Sequence, residues 1–547
     1  MISYWASRFC RVCFSLPAGP FKGGQAKAYR TIRLTMLLTT VALAAAQTNL
    51  DQVVEHARKE FEVPGIAVAI VKDGKVVLAK GYGVRKLGES GPVTPQSLFP
   101  IASNTKAFTT AALAMLVDEG KIRWDDRVID HVPGFRMYDP YVTREMMVRD
   151  LLVHRSGLGL GAGDLMFWPS TDLAPDEIVR RIRFLQPATS FRSRYAYDNI
   201  LYLVPGQIIQ AVTGKRWDEF MTERIFVPLG MSRTNLDAHS LDTDSDAATP
   251  HARANGKVVP MAHADHVLTP GGSAISSVAD LAKWVIVQLN QGELPGGRRL
   301  FSAAQSKELW SPQTILPIGD LPAGAPAALE AMQPNFNAYG LGWMLRDYRG
   351  KKLVYHTGTL MGCVSRVTML PDLKLGIVVL TNQEEAGAHA AITWTVLDHY
   401  LGAPPTDWVT AFRDLAMVEA AEGEAEVKKA GKRNADSRPS LPLASYAGRY
   451  RDPWYGDVTI EEHAGKLTMS FTHTRQLVGE LEHWQYDTFV ARWRDRTLDA
   501  DAFVTFSLGS DGAIEAVKMA PVSPLTDFSY DFQDLTLRPV GGGVAAR

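Results

Sequence analysis

Cysteine is scarce in this sequence: 547 residues contain three, Cys10, Cys13 and Cys363. The first two form a C-x-x-C pair with no second pair to complete a zinc site, and the third stands alone, which excludes both a disulfide framework and a zinc-built fold. A surplus of either charge is also missing. Lys and Arg number 58 against 59 Asp and Glu, a net charge of -1, and no long run carries one sign, so there is no electrostatic footprint for nucleic acid. The one notable apolar run, Leu34 to Ala46, is too short for a permanent bilayer span. G-x-S-x-G, H-E-x-x-H, P-loop and dinucleotide fingerprints are absent, and no cofactor is expected. His263, Asp265 and His266 are spaced too loosely for a metal site, and none is assigned.

What is present is a large core. Hydrophobic residues make up 46% of the chain, which excludes disorder, and the length calls for two or more domains. Arg30 and Arg33 precede the apolar run, which ends in Ala44-Ala45-Ala46-Gln47. This pattern predicts a secretory leader over residues 1–46 and export to the periplasm or beyond, with a single N-terminal anchor as the alternative. Residues 1–29 are long for such a leader and point to a misassigned start codon. Cleavage after Ala46 would leave Cys363 as the mature chain's one cysteine.

Alternating Ile66, Val68 and Ile70, the turn Asp73-Gly74 and the return Val76 to Leu78 predict a hairpin over Pro64 to Val84. Helical spacing follows over Lys106 to Glu119, closed by Gly120, and again over Glu177 to Phe184, Ile200 to Val212 and Asp280 to Leu289. Strands return at Lys352 to Val354, Val364 to Leu370 and Leu375 to Leu380. Strands, a helical block, then strands again describe an α+β domain over 47–405, one antiparallel sheet assembled from both ends and packed by helices. Residues 406–440 read as a helix and linker, solvated from about 417. Short alternating segments between Gly456, Gly465 and Asp511-Gly512 make 441–547 a small all-β domain.

Three short motifs carry chemistry. Ser103-Asn104-Thr105-Lys106 opens a predicted helix, so the hydroxyl and the amine share one face a turn apart, and a buried lysine can take the serine proton. Tyr197 and Asn199 lie two apart at a loop tip and can face one cavity. His356-Thr357-Gly358 opens the last strand block; a glycine there lets a substrate backbone approach, and Thr359 can offer its N–H beside that of Ser103 as an oxyanion hole.

S-x-x-K, Y-x-N and H-x-G in this order resemble the serine β-lactamase and penicillin-binding superfamily, in its class C-like branch. Asp150 to Leu158, Tyr202 to Gly214 and Pro270 to Ser276 are similar to further family segments, and the likeness spans about 50 to 400. The resemblance implies an α/β/α sandwich with an all-helical region and a serine hydrolase. Ser103 would form the acyl-enzyme, Lys106 and Tyr197 would share the proton transfers in an order left open, and Asn199 would orient the acyl-side amide. His356 stands where β-lactamases carry lysine and is mostly neutral near pH 7, which places peptidase and esterase activity ahead of β-lactamase. The expected substrate is a short linear or D-residue-containing peptide, with carboxylesters, β-lactams or a non-turnover penicillin-binding sensor as alternatives. The segment Tyr446 to Tyr450 resembles the lipocalin-like domain appended to some family peptidases. That domain is expected to shade the cleft, with Trp454, Trp484 and Trp493 as its core or a binding surface.

Overall fold

In β1 (Gly65–Lys72) seven of eight residues are buried, alternating positions included, because the sheet is covered on both faces. Asp73 and Gly74, with φ of 51° and 74°, turn the chain into β2 (Lys75–Gly83) as the hairpin pattern requires. This computed structural model describes residues 50–263, 269–430, 433–434 and 436–541. The leader with Cys10 and Cys13, and the pair Asp265 and His266, lie outside the described residues.

The helical block begins with α1 (Thr105–Asp118), buried on every side over its first three turns. It continues through short helices to α2 (Leu203–Thr213), which Gly214 caps at φ 72°, and ends with α3 (Val278–Leu289), whose N-terminus Ser277 caps. Six strands then complete the sheet: β3 (Thr314–Ile315), β4 (Asn337–Tyr339), β5 (Met344–Tyr348), β6 (Lys351–Leu360), β7 (Cys363–Leu370) and β8 (Leu375–Thr381). The order is β2-β1-β8-β7-β6-β5-β4-β3, antiparallel throughout. First and last strands of the domain therefore meet at β1 and β8, as the strand-helix-strand pattern implies.

Period-two alternation sorts β7: Ser365 faces the turn that holds Ser103, while Arg366 points to the opposite side, over Trp394. That opposite side is covered by α4 (Ala386–Leu401) and by α5 (Trp408–Ala430), which packs on it. The start of α5, ahead of the stretch expected to be solvated from about 417, is buried, and there the Trp408 indole donates to Asp398 at 2.9 Å. Further along, Met417 is exposed as expected.

The C-terminal strands β9 (Gly448–Asp452), β10 (Gly456–His463), β11 (Lys466–Phe471), β12 (Val478–Gln485), β13 (Thr488–Trp493), β14 (Ala502–Leu508) and β15 (Ile514–Pro521) form a meander, with β16 (Arg538–Pro539) paired to β9. Val517 and Leu537 exchange backbone hydrogen bonds of 2.8 and 3.2 Å, bringing the two ends of the sheet together into a near-barrel. Trp454 and Trp493 are buried inside it; Trp484 is half-buried against Phe503.

Candidate active site

Ser103 lies in a 3-10 turn, Ala102–Asn104, that runs directly into α1. Ala102 has φ 46°, a left-handed value that side chains avoid. The sheet holds this strained turn in place. Ser365 of β7 donates to the Ile101 carbonyl at 2.7 Å and accepts from Asn104 Nδ2 at 2.8 Å. At Gly358 of β6, a Cβ would stand 2.3 Å from the Ile101 carbonyl oxygen and 2.9 Å from the Ser103 nitrogen. The glycine thus admits the chain's own turn, a role beside the substrate approach expected there, and Gly358 is not among the residues that line the cavity.

Lys106 is fully buried. Its Nζ lies 2.9 Å from Ser103 Oγ, 2.7 Å from Asn199 Oδ1 and 3.0 Å from the Gly271 carbonyl. Burial pulls the amine down to about 7, against the pull of Asp164 and Asp198 in the other direction. A neutral amine has two hydrogens and one lone pair. The two carbonyl oxygens can only accept, so they take the hydrogens and the lone pair faces the Ser103 hydroxyl. The Gly271 carbonyl is placed by α1 itself: Thr109 donates to the Pro270 carbonyl at 2.6 Å, and the Ala274 N–H donates to Thr105 at 3.0 Å.

The Tyr197 hydroxyl interacts with Ser103, and burial drives the phenol well above its ordinary value, so it stays protonated. Its ring rests on His154, with centroids 4.1 Å apart, and Lys106 Nζ is 4.9 Å from its centre. His154 is a buried core residue and serves as the floor beneath Tyr197. Asn199 faces inward. Its Oδ1 accepts from Lys106, and its Nδ2 donates to Asp164 Oδ2 at 2.8 Å. Both ends of the amide that was expected to orient substrate are thus engaged by the protein.

His356 is buried, and both ring nitrogens are used. Nδ1 donates to the Thr357 carbonyl at 2.6 Å, which leaves Nε2 to accept from Tyr339 at 2.8 Å. Burial and the nearby Lys106 push its pKa down to about 3, so it is neutral and cannot act as the cation that a substrate carboxylate would seek. Thr359 sits on the exposed rim. His263 lies against Asp242 and the Ala248 carbonyl, away from this site.

Ser103, Tyr197, Asn199, His356 and Thr359 line one cavity of about 290 Å³. The C-terminal domain closes it with Asp527, Phe528 and Ser529. The Phe528 ring stands edge-on to Tyr197 at 6.0 Å, and Ser529 donates to Asp164 at 3.0 Å. Asp164, Ser365, Asp527 and Ser529 escaped the sequence analysis, and Gly271 entered it only within the stretch Pro270 to Ser276, without a role. Pro270-Gly271-Gly272 offered a signal, since consecutive glycines mark a close backbone approach; the others lie in no local pattern.

A family model described as Beta-lactamase matches residues 50–401. A second, described as a domain of unknown function (DUF3471), matches residues 432–539. The unguisins hydrolase ungD' of Aspergillus campestris is 29% identical over 442 residues, covering 75% of this chain and 77% of that protein. Among solved structures, the octameric penicillin-binding protein homologue from Pyrococcus abyssi has a TM-score of 0.58 at 22% identity, over 90% of this chain and 99% of that one. The class C beta lactamase from Rhodobacter sphaeroides has a TM-score of 0.52 at 19% identity, over 64% of this chain and 99% of that one. At these identities the two structures share a fold with this chain.

Proposed function

This chain belongs to the beta-lactamase family of serine hydrolases, and on that footing we propose that it cleaves short peptides carrying a free amine, through an acyl-enzyme on Ser103. The observation that carries the reading is the buried Lys106 amine, 2.9 Å from Ser103 Oγ with its lone pair on the hydroxyl. Lys106 takes the Ser103 proton as Oγ bonds to the carbonyl carbon. The backbone N–H groups of Ser103 and Thr359 hold the oxyanion. Tyr197 gives its proton to the departing nitrogen and is refilled from Lys106, and water then releases the acyl group by the reverse transfers.

Two features of the wall favour a cationic peptide over a β-lactam or a peptide carboxylate. His356 is neutral, with both nitrogens engaged. Asp527 is the charged side chain among the lining residues, and burial raises its pKa, a cost that an ammonium group on the ligand would offset. The cavity volume of about 290 Å³ suits one or two residues of substrate. The relative from Aspergillus campestris is named a hydrolase, consistent with turnover over a stable acylated sensor.

Amino-acid p-nitroanilides, their N-acetyl counterparts, p-nitrophenyl esters and a chromogenic cephalosporin form the test. The free-amine anilides should turn over fastest and lose at least tenfold on acetylation. A cephalosporin turned over faster than any anilide would refute the peptidase reading. The leader pattern over residues 1–46 favours export, with a single N-terminal anchor as the alternative, and on the export reading N-terminal sequencing of the mature protein should begin near Gln47.

A further inference from the structure

Asp164 is buried in a short turn whose neighbouring glycines, Gly161 and Gly163, have φ of 69° and 84°. Its Oδ2 accepts two hydrogen bonds, from Asn199 Nδ2 at 2.8 Å and from Ser529 Oγ at 3.0 Å, while Oδ1 has no partner. An unmatched oxygen on a buried carboxyl is a cost that simple packing does not explain. The other end of the Asn199 amide faces Lys106 at 2.7 Å. A continuous chain of contacts therefore runs from Ser529 on the C-terminal domain through Asp164 and Asn199 to Lys106 and Ser103.

We propose that Asp164 and Ser529 are positioning residues for Lys106, and that through Ser529 the C-terminal domain sets the pH at which the nucleophile becomes reactive. The inference rests on the reading of Ser103 as nucleophile and Lys106 as its base. Two effects combine. Asp164 accepts from Nδ2 and so fixes which way the Asn199 amide points; reversed, the amide would present hydrogens to the amine instead of a carbonyl. The negative charge of Asp164 also favours the ammonium form of Lys106, and the Ser529 hydroxyl favours that negative charge.

Of the other groups facing the pair, the rings keep one protonation state, whereas Asp527, hydrogen-bonded by Ser529, responds to the loss of that hydroxyl in the same direction as Asp164, and Asp531 feels the Asp164 charge. Tyr197 and Tyr202 lie over the amine and remain protonated. His154 and His356 are held neutral by burial. Asp198 lies on the amine side, and Asp527 and Asp531 lie on the carboxyl side. Because Asp164 and Lys106 are raised to about 8 and lowered to about 7 respectively, they titrate as a coupled pair, and its combined profile is what an experiment reads.

The test uses the full-length chain and a fluorophosphonate probe, following the rate of Ser103 labelling from pH 5 to 9. Asp164→Asn keeps an acceptor for Asn199 but removes the charge. It should retain the plateau within about tenfold and move the acid limb to lower pH by a fraction of a unit, since Asp164, raised to about 8, is only partly ionised across that limb. Ser529→Ala should move the limb the same way by less, since it weakens the Asp164 anion, and that of Asp527 behind it, without removing either charge. Asp164→Ala should lose the plateau as well. Acid limbs that coincide with wild type in both Asp164→Asn and Ser529→Ala, with a lower plateau alone, would overturn the relay and leave two packing residues. A wild-type chain that the probe does not label at Ser103 would overturn the nucleophile assignment and the relay with it.

Discussion

A lysine taken out of water with no carboxylate in direct contact loses its proton easily, and Lys106 is in that position. A base lowered to about 7 works once it is unprotonated, so kcat/KM should rise with pH through about 7 and level off above it. Lys106→Arg keeps the charge and the bulk of the side chain but never yields a lone pair, so it should be as inactive as Lys106→Ala, which should lose at least about a hundredfold. Near-normal rates in either variant would rule Lys106 out as the base. Ser103→Ala should abolish turnover and leave the melting temperature unchanged. Gly358 carries a different risk. Its Cβ in Gly358→Ala would meet backbone atoms at 2.3 and 2.9 Å, which cannot move aside as a side chain can. The variant should lose activity and about 1–3 kcal/mol of stability by denaturant titration; a wild-type midpoint would show that the turn and β6 separate freely.

At the scale of elements, what was legible is what has a short period. The hairpin of β1 and β2, the helix after Ser103 and the β7-β8 pair were readable because alternation or helical spacing and a turn signal coincide within a few residues. Ser103 and Lys106 were readable for the same reason, three positions apart on one turn. The clasp that holds their turn was not. Ser365 meets Ile101 across 264 positions of sequence, and in β7 it reads as an ordinary strand residue. α4 and the buried start of α5 also escaped, since small residues such as Ala388, Ala390 and Ala391 hide the helical period of a segment buried nearly all round. Ser365 belongs to this scale because it ties two strands to one turn. Ser365→Ala removes the donor to Ile101 and leaves the buried Asn104 amide without its acceptor. A loss of about 1–3 kcal/mol is expected, with a fall in kcat larger than any change in KM, since the turn positions the nucleophile and not the substrate. A fall confined to KM would place Ser365 outside that role.

Across the whole molecule, the two folded parts meet in a polar joint as well as an apolar one. Asp531 of the C-terminal domain accepts the backbone N–H of Gly163 at 2.6 Å and that of Leu165 at 3.1 Å, on either side of Asp164. No residue on either partner marks this from sequence, because one aspartate in a terminal loop says nothing about two amides 366 and 368 positions away. The joint is close: at Gly161 a Cβ would stand 2.5 Å from the Phe528 carbonyl oxygen. Asp531→Ala strips the acceptor from two buried donors, each worth about 1–3 kcal/mol when left unmatched, with no water able to replace it unless the joint opens. Asp531→Asn keeps one acceptor oxygen and sets an N–H₂ against the second amide, so it should fall between alanine and wild type. The wild-type chain is expected to melt in one calorimetric transition, which should split in Asp531→Ala as the β domain releases the hydrolase domain. The acid limb of Ser103 labelling should move to lower pH in the same order, because Ser529 leaves Asp164 when the loop departs. If Asp531→Ala melts and labels like wild type, the C-terminal domain is only a neighbour of the catalytic machinery, and the shared cavity wall is a matter of proximity.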